Sequence, residues 1–236
     1  MKARITEVFT SVEGEGILCG TKTLFVRMAG CPFGCTYCDT PGSLPAGSGT
    51  EYGMDEAAGL ISSSIEEGTY KVNFTGGDPL VQHEAVALLA RGVQEGGTRT
   101  YLESSCFDQA RFRHILPHID IAKIEFKTRD SGFAPPGRHD AMTAEAAGCL
   151  RAAVDSGRTT YVKVVVGAGT SEDDVAGIAD LVLTAAGRDL AGFVIQPVHG
   201  EGAPPMDLLM GLHGAVHSRY PGVRVIPQMH KMLGAP

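Results

Sequence analysis

Three cysteines fall within eight residues, Cys31-Pro32-Phe33-Gly34-Cys35-Thr36-Tyr37-Cys38, separated by three residues and then by two. Spacing this short lets one loop turn all three sulfurs toward a single centre. Closely spaced thiolates hold iron–sulfur clusters, and three of them on a four-iron cluster leave one iron without a protein ligand. An open iron is where chemistry can happen. Zinc is the competing reading. A structural zinc is closed by four protein ligands, commonly two short-spaced pairs. Cys19, Cys106 and Cys149 are isolated in the sequence and form no second pair. They read as ordinary semi-buried thiols. The spacing therefore favours an open cluster over zinc.

A second candidate is Thr75-Gly76-Gly77-Asp78-Pro79, which follows the predicted strand Tyr70–Phe74. Two adjacent glycines let the backbone approach a ligand closely. Taken alone this is a common kind of turn; after a strand, and downstream of the cysteine loop, it becomes a binding candidate. Glu13-Gly14-Glu15-Gly16 taken alone is a solvated turn, Arg27 a surface ion pair, and Thr40-Pro41 the end of a loop. Their joint occurrence around one cysteine loop gives them weight. His213 and His217 lie four apart on a predicted helix and share a face. Without a carboxylate motif beside them they read as a solvated face rather than a metal site.

These groups must be positioned by a series of strand–helix units. Strands are predicted at Thr23–Met28, Tyr70–Phe74, Thr100–Glu103, Ile119–Phe126, Thr160–Val166, Gly192–Gln196 and Val223–Ile226. Helices are predicted at Met54–Glu67, Val81–Gln94, Phe107–Leu116, Thr143–Ser156, Ser171–Ala186 and Met206–Arg219. Such alternation argues for an α/β fold, a parallel sheet with outer helices. The strand count falls short of a closed eight-stranded barrel, so an open, partial (βα)6-type barrel is expected. Ligands in such folds sit at the C-terminal ends of the strands, and the cysteine loop and the other polar motifs follow predicted strands. Thr40–Gly53 and Asp130–Gly137, rich in Gly, Pro or Ser, read as loops. No repeat or linker divides the chain, so residues 1–236 read as one domain.

The chain is 43% hydrophobic, enough for a sizeable core. Its net charge of −7 is spread along the sequence. That argues against a nucleic-acid or anionic-membrane surface, which needs clustered Lys and Arg. No apolar run reaches the roughly 18 residues of a membrane span, and no signal peptide follows Met1-Lys2-Ala3-Arg4. Clustered thiolates imply a reducing compartment. A cytoplasmic protein without nucleic-acid or membrane partners is expected.

The cysteine loop followed by Gly76-Gly77-Asp78-Pro79 resembles the radical S-adenosylmethionine (SAM) enzymes. The run Phe9-Thr10-Ser11-Val12-Glu13-Gly14-Glu15-Gly16, Arg27, Asp39-Thr40 and the tail Pro227-Gln228-Met229-His230-Lys231-Met232-Leu233-Gly234-Ala235-Pro236 narrow the likeness. Together they look like the 7-carboxy-7-deazaguanine synthase family. The resemblance implies a radical SAM partial barrel with a 4Fe–4S cluster, SAM on its open iron, and Mg2+. It implies a lyase that converts 6-carboxy-5,6,7,8-tetrahydropterin to 7-carboxy-7-deazaguanine with loss of ammonia, on the way to queuosine or archaeosine. A homodimer and a reductant such as flavodoxin or ferredoxin are implied with it. A glycyl-radical activating enzyme would share the cluster and the turn, but would not need Glu13, Arg27 or a carboxylate at Pro236. A non-catalytic zinc or iron–sulfur module is the third alternative.

Residue by residue, the resemblance implies that Cys31, Cys35 and Cys38 hold the cluster and, with Arg27 and Glu15, form the catalytic group. Tyr37, Cys38, Asp39, Gly76, Gly77, Asp78, Glu103 and Lys127 would hold SAM, with Gln196, Pro197, Val198 and His199 near its ribose and adenine. Val12, Glu13, Gly14, Arg27, Thr75, Gln228, His230 and Pro236 would contact the substrate. Arg27 would pair with the substrate carboxylate, a task for a planar bidentate donor, and the free carboxylate of Pro236 would reach back into the site. Thr40 would offer its hydroxyl to Mg2+. Three departures suggest a divergent branch: Asp78 where Glu is usual, Glu103-Ser104-Ser105 where Glu-Thr-Asn is frequent, and Glu125-Phe126-Lys127 where Ser-Pro-Lys is frequent.

Overall fold

Apolar runs such as Val164–Val166 and Phe193–Ile195 can be buried on both faces only inside a sheet covered by helices. The computed structural model, which describes residues 1–135 and 137–235, has that arrangement. The strands are β1 Lys2–Val12, β2 Lys22–Met28, β3 Thr50–Gly53, β4 Lys71–Gly76, β5 Arg99–Ser104, β6 Ile121–Phe126, β7 Thr159–Val166, β8 Gly192–Pro197 and β9 Val223–Val225. Among the described residues they form one nine-stranded sheet, ordered β3-β1-β2-β4-β5-β6-β7-β8-β9. From β2 to β9 every pairing is parallel. β1 runs antiparallel to both β2 and β3. The sheet stays open, as expected.

The helices are α1 Met54–Ser64, α2 His83–Glu95, α3 Gln109–Ile115, α4 His139–Asp155, α5 Glu172–Ala186, α6 Met206–His217 and α7 Met229–Leu233. Asp108 caps α3 by accepting from Arg111 N, and Ser171 caps α5 by accepting from Asp174 N. α2 turns Ala85, Val86, Leu89, Ala90 and Val93 onto the sheet, giving the apolar stripe that a covering helix needs. Inside the curve of the sheet a smaller cluster, Tyr101, Ile121, Tyr161 and Val194, plugs the barrel. Side chains alternate along a strand. Residues two and four positions beyond this plug therefore face the interior again, and those positions carry the polar groups of the site.

Two strands and a helix lie where none was predicted. β1 has only Ala3 and Ile5 fully buried, so its alternation is faint in the sequence. β3 is four residues long with no buried position, within a segment expected to be loop throughout. α7 is five residues long and buries none of them. The predicted ends also shift: α1 stops at Ser64, three residues early, and α4 begins at His139, four residues early. Pro136, in the expected 130–137 loop, lies outside the described residues. None of the described helices is long and apolar enough to cross a membrane.

Candidate active site

A cleft of about 1180 Å³, counting its open mouth, lies among the C-terminal ends of the parallel strands. The cysteine loop forms one wall. It leaves β2 at Gly30 (φ 96°), a conformation that costs a side-chain-bearing residue. Gly30 N and Cys31 N donate to Ser43 O and Leu44 O, so the Pro/Gly-rich segment braces the loop from outside. Phe33 is its apolar anchor, edge-on to Phe107 at 5.6 Å and to Phe133 at 5.3 Å. Cys31, Cys35 and Cys38 all line the cleft as free, half-buried thiols. Burial pushes the Cys31 thiol up to about 12 and raises Cys35 as well, so a bound metal must displace protons. Cys19, Cys106 and Cys149 do not line the cleft. Cys106 and Cys149 are fully buried rather than semi-buried, and Cys149 Sγ donates to Cys106 O at 3.6 Å.

The Gly76–Gly77 turn faces the cysteine loop across a gap with no room for a side chain. A Cβ on Gly76 (φ 112°) would lie 2.5 Å from Met28 O, and one on Gly77 would lie 2.6 Å from the carbonyl carbon of Gly30. Thr40 Oγ1 donates to Gly76 O at 3.2 Å. Its only proton is used there, leaving its lone pairs to face a ligand. Thr75 Oγ1 donates to Glu103 at 2.7 Å. Asp78 is buried and accepts from Leu80 N, Ser104 Oγ, Ser105 N and Ser105 Oγ. Burial pushes its carboxyl up against the pull of those donors.

Behind the turn the barrel interior is a lattice of opposed charges. Lys163 contacts Glu15 at 2.6 Å and Glu125 at 3.1 Å. Lys123 contacts Glu103 at 3.2 Å and Glu125 at 3.4 Å. Lys127 pairs with Glu125 and sits 5.3 Å over the ring of Tyr37. Burial works against ionising Glu15, but Lys163 and Lys123 hold its carboxyl well below the usual range. The same contest places Glu125 far down, under Lys127, Lys163 and Lys123. Burial pushes Tyr37 up to about 12, and its hydroxyl has no hydrogen-bond partner among the described residues.

Deeper still, Glu13 pairs with Lys71 at 2.5 Å, and Lys71 also donates to Thr23 and lies 4.2 Å over the Tyr101 ring. Burial outweighs that pairing on both partners, raising Glu13 and lowering Lys71. Further along β2, Arg27 stands over Phe9 at 5.2 Å, with Nε 2.8 Å from Glu7 Oε2 but off the line of a hydrogen bond. The tail crosses the mouth. Met229 N donates to Gly14 O, and Gln228 Nε2 donates to Glu15 at 2.9 Å and Asp39 at 3.0 Å. Gln196 reaches the same Glu15 oxygen at 3.1 Å.

The cleft thus brings together the three cysteines, Glu13, Glu15, Arg27, Tyr37, Asp39, Thr40, Thr75, Gly76, Gly77, Asp78, Glu103, Lys127, Gln196, Val198, Gln228 and His230. Val12, Gly14, Pro197 and His199 lie outside its wall, with Val12 and His199 exposed. Pro236 lies outside the described residues. The fold adds Lys123 and Lys163, which the sequence did not single out. Their signal was present: each is one charge in the middle of an apolar strand, Ile121-Ala122-Lys123-Ile124 and Tyr161-Val162-Lys163-Val164. A buried charge is kept only where it is paired.

Comparison with known proteins agrees with this architecture. The Radical SAM superfamily model matches residues 25–182. The 7-carboxy-7-deazaguanine synthase of Methanothermobacter thermautotrophicus is 30% identical over 252 aligned positions, covering 99% of this chain and 98% of the relative. That of Archaeoglobus fulgidus is 29% identical and covers 99% of each. The crystal structure of QueE from Escherichia coli superposes with a TM-score of 0.65 at 18% identity, over 98% of this chain and 95% of that one. A domain of pyruvate-formate lyase-activating enzyme from Bacteroides vulgatus covers only 66% of this chain, at a TM-score of 0.53. The chain belongs to the radical SAM superfamily and, within it, to the 7-carboxy-7-deazaguanine synthase family.

Proposed function

We propose that this protein converts 6-carboxy-5,6,7,8-tetrahydropterin to 7-carboxy-7-deazaguanine with loss of ammonia. The observation that carries this is one cleft shared by three free thiols, an arginine and a row of carboxylates. Those residues fit the implied groups. Three thiols and no fourth cysteine line the wall, which suits a cluster with one open iron. A side-chain-free cradle at Gly76–Gly77 suits close backbone approach by SAM. The spare lone pairs of Thr40 suit Mg2+. When bound, the cluster and SAM supply reductive cleavage of the sulfonium and a hydrogen-abstracting carbon radical.

The chain's own residues bind and orient. Arg27, steadied by Phe9 and Glu7, pairs with the substrate carboxylate. Glu15, kept anionic by its lysines, has Oε1 filled by Gln196 and Gln228 and Oε2 bonded to Lys163, so it offers its one remaining acceptor position to a ring N–H of the pterin, with His230 beside it from the tail. Thr75 and Glu103 form the floor beside them. Glu13 works one layer deeper by fixing Lys71. Tyr37, Asp39, Lys127, Gln196 and Val198 form the cofactor side of the cleft. A flavodoxin- or ferredoxin-type reductant, a homodimer and a cytoplasmic setting, where six free cysteines stay reduced, complete the proposal.

The test is an anaerobic assay of cluster-loaded protein with SAM, dithionite, Mg2+ and 6-carboxytetrahydropterin, read by mass spectrometry. Formation of 7-carboxy-7-deazaguanine is expected. Cleavage of SAM to 5′-deoxyadenosine with no deazapurine would overturn the substrate, and no cleavage at all by fully loaded protein would overturn the chemistry.

A further inference from the structure

An ionised carboxylate offers about four acceptor sites. In Asp78 all four are taken by the protein. Oδ1 accepts from Leu80 N at 3.1 Å and Ser104 Oγ at 2.8 Å, and Oδ2 accepts from Ser105 N at 3.0 Å and Ser105 Oγ at 2.6 Å. The residue is 2% exposed. A group so enclosed has no site left to offer an incoming ammonium.

The same residue touches the cysteine loop through its backbone. Asp78 N donates to Gly30 O at 2.8 Å, and Gly77 N donates to Met28 O at 2.9 Å. Gly30 directly precedes Cys31. On the other side, Ser104 Oγ accepts from Cys106 N at 2.8 Å, and Cys106 holds a left-handed backbone (φ 55°). The next residue, Phe107, packs edge-on against Phe33 inside the cysteine loop. The segment after β5 therefore reaches the loop twice, by a polar route through Asp78 and by an apolar route through Phe107.

We infer that Asp78 is a positioning residue, whose carboxylate fastens Ser104–Ser105 to the Gly76–Gly77 turn and through Gly30 sets the cysteine loop, and that it does not touch the cofactor. Two of the three sequence departures then become one contact. A Glu at position 78 would carry its carboxylate about one C–C bond, roughly 1.5 Å, further out, into the space that the two serine hydroxyls occupy. The shorter acid and the paired serines fit each other. Any contact of this turn with SAM falls to its backbone.

This inference rests on the cofactor assignment above, and its test separates the two. The variants are Ser104→Ala/Ser105→Ala, which leaves the acid in place, and Asp78→Asn. The readouts are Tm of the metal-free chain, the rate of iron loss from loaded protein to a chelator well below Tm, the EPR signal of the reduced cluster, and SAM affinity by equilibrium dialysis. The serine variant should lower Tm by roughly 6 °C or more, the loss of two charge-assisted hydrogen bonds in a chain of this size. It should also speed iron loss and shift the EPR signal, while SAM affinity in loaded protein stays within about threefold, far from the tenfold that 1.4 kcal/mol would give. A lower Tm with unmoved iron loss and EPR would reduce the contact to general stability and overturn the inference. So would Asp78→Asn weakening SAM about tenfold or more while the serine variant leaves iron loss unmoved. Should Asp78→Asn fail to fold, the serine variant carries the test. A wild-type chain that loads no cluster would overturn the cofactor assignment and the inference together, whereas normal loading with unmoved variants overturns only the inference.

Discussion

Gly14 and His230 lie against each other so closely that a side chain on Gly14 would occupy the place of the histidine: a Cβ there would sit 2.6 Å from His230 Cβ and 2.7 Å from its backbone nitrogen. Gly14 is outside the cleft wall, yet it is the seat on which the tail rests, and Met229 N donates to its carbonyl at 2.9 Å. Gly14→Ala should therefore lift the tail and withdraw Gln228 and His230 from the mouth. KM for the pterin should rise by roughly tenfold, about the loss of one good charge-assisted hydrogen bond, while cluster content stays at the wild-type level. Limited proteolysis should cut the tail of the variant faster. Equal proteolysis and equal KM would show that the tail's seat does not matter.

Thr40 is asked to donate to Gly76 O and to accept a cation at once. Thr40→Ser keeps both roles, whereas Thr40→Ala keeps neither. The alanine variant should need roughly 10- to 100-fold more Mg2+ for half-maximal rate, the usual scale for losing a group that tunes a metal site. The serine variant should respond like wild type. An unchanged Mg2+ response in the alanine variant would remove Thr40 from the metal.

Burial opposes the ionisation of Glu15 and Glu125, and their lysines override it, so both carboxyls titrate below the ordinary glutamate value. A folded-state pKa that is depressed contributes stability above the unfolded value, and that stability is lost as pH falls through it toward the folded value. Tm should be steady down to about pH 5 and fall once pH drops below about 4.3. Glu125→Gln should be less stable at neutral pH, and its deficit should shrink through that acid window. A deficit constant from pH 7 to pH 3, followed by calorimetry, would show that Glu125 does not carry the effect.

Lys71 and Glu13 are each other's buried ionic partner, with Thr23 and the Tyr101 ring also on Lys71. Lys71→Met should cost about 3–5 kcal/mol by stranding a charge. Adding Glu13→Gln should recover most of that loss, because a neutral pair of similar shape pays no desolvation cost. Urea denaturation of the metal-free proteins measures both, and a purely additive double variant would break the link.

Much of this site was readable before any fold was known, because its chemistry is local: three cysteines within one loop, and two glycines after an apolar strand. The parallel strands were legible for a related reason, since burial on both faces leaves largely apolar runs such as Val162–Val166, interrupted only by Lys163. β1 was not legible, because a strand with only two fully buried residues has little pattern to show. Lys123 and Lys163 were missed because their meaning depends on register. Glu103 stands across from Lys123 in the β5–β6 ladder, and Glu125 across from Lys163 in β6–β7. Nothing local joins residues 20 or 38 positions apart in sequence. The tail is marked by its residue types, but its contact with Gly14 arises only once the sheet brings both segments to the same rim.

The interior lattice also restricts how such a chain can change over generations. Glu13, Glu15, Glu103 and Glu125 are matched there against Lys71, Lys123, Lys127 and Lys163, and each charge leans on a residue from another strand or segment or from its own strand's end. A lineage that altered any one of them would pass through a form with an uncompensated buried ion, which selection removes. Variation in this barrel must therefore arrive in pairs or wait for a tolerant background.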